Sequence, residues 1–237
     1  MNKKLQLQIP ADLSSVPLQD YQAYIKIMDA NKDAEDSEFA NMKMLEIFCK
    51  IDIRDVYSLP LAKFSEVLNH IINIFKEETP LQRDFTLTDP KGDSITFGFI
   101  PKLDDISLGE FIDLDQYVND WQQMHKAMAV LYRPITFRKG DLYLIEEYES
   151  SDKYSDIMKE APVSVALGAT VFFYRLGKTL SLYLMDYLKK EVPKDPTALE
   201  RLQKNGVSIN QYMQSLEEIL QSLEKLPNSR LRNVSPG

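Results

Sequence analysis

Between Phe85 and Phe99 the hydrophobic pattern has a period of two and turns back on itself. Phe85 and Leu87 alternate with polar neighbours, Asp89-Pro90-Lys91-Gly92-Asp93 follows, and Ile95, Phe97 and Phe99 resume the alternation. Proline presets φ for a turn and glycine accepts the positive φ that closes one. The segment therefore specifies a β-hairpin, ended by Pro101. A second hairpin is spelled by Ile135 and Phe137, a turn at Lys139-Gly140-Asp141, and Leu142, Leu144 and Ile145. Between them a helix is expected from about Asp115 to Leu131, with Val118, Trp121, Met124 and Met128 on one stripe. Pro134 stops it, because the proline ring clashes with a continuing helix. Hairpin, helix and hairpin over 84–148 predict one antiparallel sheet with the helix packed on a face.

The flanks carry helical spacing. Leu5, Leu7 and Ile9 read as a short strand ending at Pro10. A helix is expected after Pro17, through Tyr21, Tyr24, Ile25 and Met28, then an acidic loop over Asn31–Glu38. Phe39, Met42, Leu45, Phe48 and Cys49 mark the next helix, and Leu59-Pro60 opens another that carries Phe64, Val67, Leu68, Ile71, Ile72 and Phe75. Pro162 suits the first position of a long helix reaching toward Glu191, and Ile209–Leu226 reads as a last amphipathic helix. The fold class is α+β and mostly helical, in one domain of 237 residues. Its parts are a strand and helices over 3–80, the hairpin–helix–hairpin of 84–148, helices over 161–226, and a mobile or partner-ordered tail over 228–237. Leu13, Val16, Leu18 and Tyr21 share their spacing with Leu103, Ile106, Leu108 and Phe111, each set following a proline. That echo reads either as two unrelated helix starts or as a duplicated one.

Composition excludes several functions. Lys and Arg number 28 against 36 Asp and Glu, a net charge of −8. A nucleic-acid binder neutralises phosphates with Lys and Arg, so this balance argues against one. One cysteine, Cys49, permits no intrachain disulfide, and two histidines with it cannot assemble a zinc cluster. The eight glycines form no phosphate-binding loop. Met1-Asn2-Lys3-Lys4 leads into alternating Leu5-Gln6-Leu7-Gln8 rather than an apolar run, which reads as no signal peptide and a reducing compartment. Ala161–Tyr174 carries no charge. It is too short and too diluted by Ser164, Gly168 and Thr170 for a span, and reads as a buried central helix, with peripheral membrane insertion as the alternative.

Chemistry has one candidate segment. Asp104, Asp105, Glu110, Asp113, Asp115 and Asp120 lie between Leu103 and His125 with no Lys or Arg among them. Such carboxylates favour a helix N-terminus, where the macrodipole is positive. Their spacing fits no EF-hand; a docking surface for a basic partner and a divalent-ion site are the other readings. His125 reads as a core-edge histidine with a local hydrogen bond, and otherwise as a general base or pH-sensitive contact. Cys49 reads as a buried thiol rather than a nucleophile paired with His70 or His125. Tyr143 and Tyr148 read as exposed contacts. Arg133, just before Pro134, is expected to pair with the acidic segment or to donate to helix-terminal carbonyls.

Two segments taken together resemble a known group. They are Phe97-Gly98-Phe99-Ile100-Pro101, continuing through Leu108-Gly109-Glu110-Phe111-Ile112-Asp113-Leu114, and Met124-His125-Lys126-Ala127-Met128-Ala129-Val130-Leu131-Tyr132-Arg133-Pro134-Ile135. The resemblance is to uncharacterised proteins encoded among the virion genes of tailed bacteriophages, including crAss-like phages, and centres on 85–148. It implies a structural or assembly role, as connector ring, internal cargo or assembly chaperone, in a virion or the cytoplasm of an infected bacterium. It carries over no catalytic residue, metal or cofactor. The function expected is non-enzymatic, through contacts with other phage proteins or further copies of the chain, without specific nucleic-acid binding or stable membrane insertion. Glu110, Asp113, Asp115, Arg133, Arg230 and Arg232 are the candidate contact residues. A metal-dependent phage enzyme and a host-directed effector are the alternatives.

Overall fold

The structure, a computed structural model, describes residues 7–31, 37–102 and 106–173. The chain divides into two compact units, Met1–Ala169 and Thr170–Gly237; the elements below belong to the first, the last helix running on into the second. In order they are α1 (Leu18–Ala30), α2 (Ser37–Phe48), α3 (Ile53–Tyr57), α4 (Leu61–Ile74), β1 (Asp84–Thr88), β2 (Ser94–Phe99), α5 (Leu108–Tyr117), α6 (Met124–Leu131), β3 (Tyr132–Lys139), β4 (Leu142–Ile145) and α7 (Asp152–Met158). A helix over 163–173, here α8, follows. The α+β class and both hairpins stand as expected.

The four strands form one antiparallel sheet in the order β1-β2-β3-β4. Phe85 pairs with Phe97, and Phe97 in turn with Pro134. Residues opposite one another in a ladder share a sheet face. One face therefore presents Phe85, Phe97, Phe99 and Tyr132 to the core, where their rings pack 5.1–5.8 Å apart. The other face carries Asp84, Gly98 and Arg133. Gly98 is required there: a Cβ on it would lie 2.7 Å from Tyr143 Cε2 and 2.8 Å from Ile135 Cγ1. Gly92 and Gly140 close the two hairpin turns at positive φ, 93° and 60°.

α6 is the centre of the first unit. Met124, Ala127, Met128, Ala129, Val130 and Leu131 are all buried, and the chain passes from Leu131 straight into β3. A second aromatic cluster lies on the helical side, with Tyr21 stacked on Phe75 at 5.6 Å and edge-on to Trp121 at 4.9 Å. α2 ends in a left-handed residue, Lys50 (φ 52°), after which the Ile51 amide donates back to the Glu46 carbonyl at 3.2 Å. The Lys50 ammonium then reaches Asp20 on α1 at 2.5 Å.

The N-termini of α1 and α8 satisfy each other. Pro17 offers no side-chain cap, and the first amides of α1 donate instead to Ala161 and Lys159 carbonyls at 2.8 and 2.9 Å. The Val163 amide donates to the Val16 carbonyl at 2.8 Å across a Pro17–Pro162 bridge. Orphan helix donors thus tie the start of the unit to its end. The uncharged segment is an interior helix through Ala169, with Val163, Val165, Ala166 and Leu167 all buried. Among the described residues no helix is long and apolar enough to cross a membrane.

Two expectations change, and two helices are added. Residues 7–10 carry no strand; the Gln8 amide donates instead to the Cys49 carbonyl at 3.4 Å. Helix α3, at five residues, is too short to show periodicity, and α7 is mostly polar, so neither carries a helical signal in the sequence. The single helix expected over Asp115–Leu131 is two helices. α5 starts seven residues earlier, and a 3-10 turn at Trp121–Gln123, capped by Asp120, separates it from α6. The two echoing sets differ in burial: Leu13, Val16, Leu18 and Tyr21 are buried, whereas Leu108 and Phe111 are exposed. The expected helix of Ile209–Leu226, the reach of α8 toward Glu191 and the tail of 228–237 lie outside the described residues.

Candidate functional site

The start of α5 gathers most of the candidate residues, and its geometry begins with a cap. Ser107 Oγ accepts the Glu110 amide at 3.3 Å, and Glu110 Oε2 accepts the Ser107 amide at 2.7 Å. This reciprocal box satisfies two helix-terminal donors at once. It also turns Glu110 inward, so that its second oxygen, Oε1, meets Arg133 Nη1 at 2.6 Å. Glu110 and Arg133 are 5% and 8% exposed. The close approach is an ion pair without hydrogen-bond alignment, and Arg133 Nε and Nη1 make no hydrogen bond among the described residues. Burial alone pushes the Glu110 carboxyl up. The Ser107 hydroxyl and amide, then the Arg133 guanidinium, outweigh it and hold the carboxyl below its usual range.

Two tyrosines complete the cluster on this sheet face. The Arg133 guanidinium sits 5.5 Å from the centre of the Tyr148 ring, and the Tyr148 hydroxyl donates to the Asp113 carboxylate. Burial, and then that bond, raise the Tyr148 hydroxyl well above the usual phenol range. Tyr143 donates to the Phe99 and Arg83 carbonyls at 2.9 and 3.0 Å, and Arg138 lies over its ring while pairing with Asp84 at 2.5 Å. Both tyrosines, expected as exposed contacts, are therefore half-buried framework. Arg133 pairs with the acidic segment, one of the two roles its sequence position allows. Neither it nor Glu110 is on the surface, so neither presents itself to a partner. Asp113 is half-buried, and Asp115 is exposed. Asp104, Asp105, Arg230 and Arg232 lie outside the described residues.

The outward side of α5 is the unexpected part. Leu108, Phe111 and Ile112 are each more than half exposed. With Asp115 they follow the spacing i, i+3, i+4, i+7, one stripe of a helix. The inward side holds Glu110 and Leu114. A surface helix ordinarily shows the reverse, with its apolar stripe on the core. The hairpin of β3 and β4 has a similar outward face. Phe137 stands opposite Leu144 and Lys139 opposite Leu142 in the register, so all four share one side. Phe137, Leu142 and Leu144 are also more than half exposed. In the sequence these six apolar residues read as strand and helix-entry positions, not as exposed faces. The Ser107-x-x-Glu110 capping box marks the start of α5 in the sequence, while the pairing of Glu110 with Arg133 sets which side faces solvent.

The other titratable candidates are accounted for locally. His125 Nδ1 accepts from Gln22 Nε2 at 3.1 Å, and Gln22 also donates to the Trp121 carbonyl at 2.7 Å. Burial first, then the nearby Lys159 and Lys126, lowers the His125 value. His70 donates from Nε2 to the Pro10 carbonyl at 2.8 Å. Cys49 is fully buried, and burial pushes its thiol up to about 11. Among the described residues no group of three or more His, Cys, Asp or Glu side chains is placed to hold a metal ion. Compared with protein-family models, curated proteins and solved structures, the chain gives no match to any of the three.

Proposed function

We propose that this chain is a non-enzymatic structural or assembly protein of a tailed bacteriophage, acting through protein–protein contacts. The observation that carries the reading is the inverted face of α5. Its carboxylate Glu110 is turned inward into a cap and an ion pair, while Leu108, Phe111 and Ile112 are turned out. Exposed apolar stripes of this kind mark protein-binding surfaces, where burying them drives association. The Asp113 carboxylate accepts from Tyr148 and both Glu110 oxygens are occupied, which leaves these two acids poorly placed for acid–base work. The resemblance of 85–148 supports a phage context, in which the protein would act in the virion or the cytoplasm of an infected bacterium.

Quantitative mass spectrometry of purified particles, with affinity capture of the tagged chain from infected cells, tests this. The expected result is the protein in particles, or in a stable complex with a phage structural protein. If it is missing from both, the reading fails.

A further inference from the structure

The two outward faces are made of matching parts. The face of α5 offers Leu108, Phe111 and Ile112 with the carboxylate of Asp115; the face of the β3–β4 hairpin offers Phe137, Leu142 and Leu144 with the ammonium of Lys139. Each is three large apolar side chains and one charge, and the charges are opposite. Neither Asp115 nor Lys139 forms an ion pair among the described residues of its own chain. β4 is an edge strand, bonded to β3 alone in the sheet order, so the hairpin has no further strand beside it.

We propose that the hairpin face of one copy docks on the α5 face of a second copy. This rests on the protein-contact reading above and names the partner. Apolar burial supplies the attraction, and a Lys139–Asp115 pair at the rim fixes register and rejects misaligned copies. Because the two faces differ, the contact is heterologous. Repeated, it gives a ring where the rotation closes and an open filament where it does not, and applied reciprocally it closes a dimer. A heterologous contact explains why one small unit carries two separate apolar faces of opposite sign.

Mixed disulfide trapping with the full chain tests the contact directly. Cys49 is buried, so an introduced surface cysteine is the reactive one. Protein bearing Lys139→Cys is mixed with protein bearing Asp115→Cys under mild oxidation. The expected result is a covalent dimer containing one of each, not formed when either is mixed with Glu78→Cys. Sedimentation of the uncut chain should show an oligomer. Lys139→Glu and Asp115→Lys should each weaken it by about tenfold or more through like-charge contact, and the double exchange should restore it. A monomer at about 100 µM overturns the proposal, since a contact that weak is not specific association. So does a cross-link that forms only when both cysteines are on one chain, or an oligomer indifferent to the exchanges. None of these outcomes touches the particle measurement, so self-docking and the phage reading fail separately.

Discussion

Arg133 Nη1 lies 2.6 Å from Glu110 Oε1, joining the strand after α6 to the first turn of α5, with both side chains less than a tenth exposed. The two partners depend on each other unequally. Glu110 keeps the Ser107 amide and the helix N-terminus if Arg133 is lost, whereas Arg133 has no other ion-pair partner among the described residues.

Glu110→Leu should therefore cost about 3–5 kcal/mol, the range for stranding a buried charge. Arg133→Met should cost less, about 1–3 kcal/mol, the range for removing one partner of a buried polar contact. The double variant should cost less than the sum, because the second change removes a charge already stranded. Denaturant midpoints of the four proteins decide this; strictly additive losses would show that the pair is not coupled.

The same region predicts an acid limit. The folded Glu110 carboxyl sits below its ordinary value of 4.5, so its contribution is fully present above that value and is lost as pH falls through the folded one. His125 acts at higher pH. Its folded value lies below the ordinary 6.5, so the unfolded chain takes up protons first and stability declines as pH falls through about 6.5. The groups facing it are Gln22, Lys126, Lys159 and Asp156. His125→Gln should flatten the stability profile between pH 7 and 5, and leave the steeper loss below 4.5 in place. An unchanged slope in that window would assign it to other groups.

Two glycines should reject alanine by different amounts. A Cβ at Gly168 would lie 2.4 Å from the Pro80 carbonyl oxygen, which is backbone and yields little. At Gly98 the obstacles are the side chains of Tyr143 and Ile135, which can shift at some loss of packing. Overpacking typically costs about 1–3 kcal/mol. Gly98→Ala should fall in that range and Gly168→Ala at or above its top, as read by thermal melts.

Cys49 should be nearly inert while the protein is folded. Raising the thiol from 9.0 to about 11 removes about a hundredfold of thiolate at neutral pH, and burial denies access as well. Labelling with a thiol reagent should wait for unfolding and speed up by more than about a hundredfold in denaturant. Fast labelling of native protein would place Cys49 at the surface.

Much of the frame was legible because it rests on local rules. Gly92 and Gly140 mark turns that demand positive φ, alternation marks the strands between them, and i, i+3, i+4 spacing marks α1, α2 and α4. The start of α5 is masked in the sequence by the apolar stripe of Val118, Trp121, Met124 and Met128, which runs across a helix break capped by Asp120. The Ser107–Glu110 box was present and would have set the start at Leu108.

The α+β class, the two hairpins and the inward helix through Ala169 follow from the sequence by itself. Each follows from spacing or charge over short separations. Only the tertiary structure decided which surfaces face solvent. Leu13, Val16, Leu18 and Tyr21 have the same spacing as Leu103, Ile106, Leu108 and Phe111, yet the first set is buried and Leu108 and Phe111 are exposed. Spacing defines a face but not what covers it. For the first set the cover includes residues more than a hundred positions away, as with Leu18 against Ala161. For α5, the buried pair with Arg133 fixes the opposite side of the helix inward and leaves the apolar stripe outside.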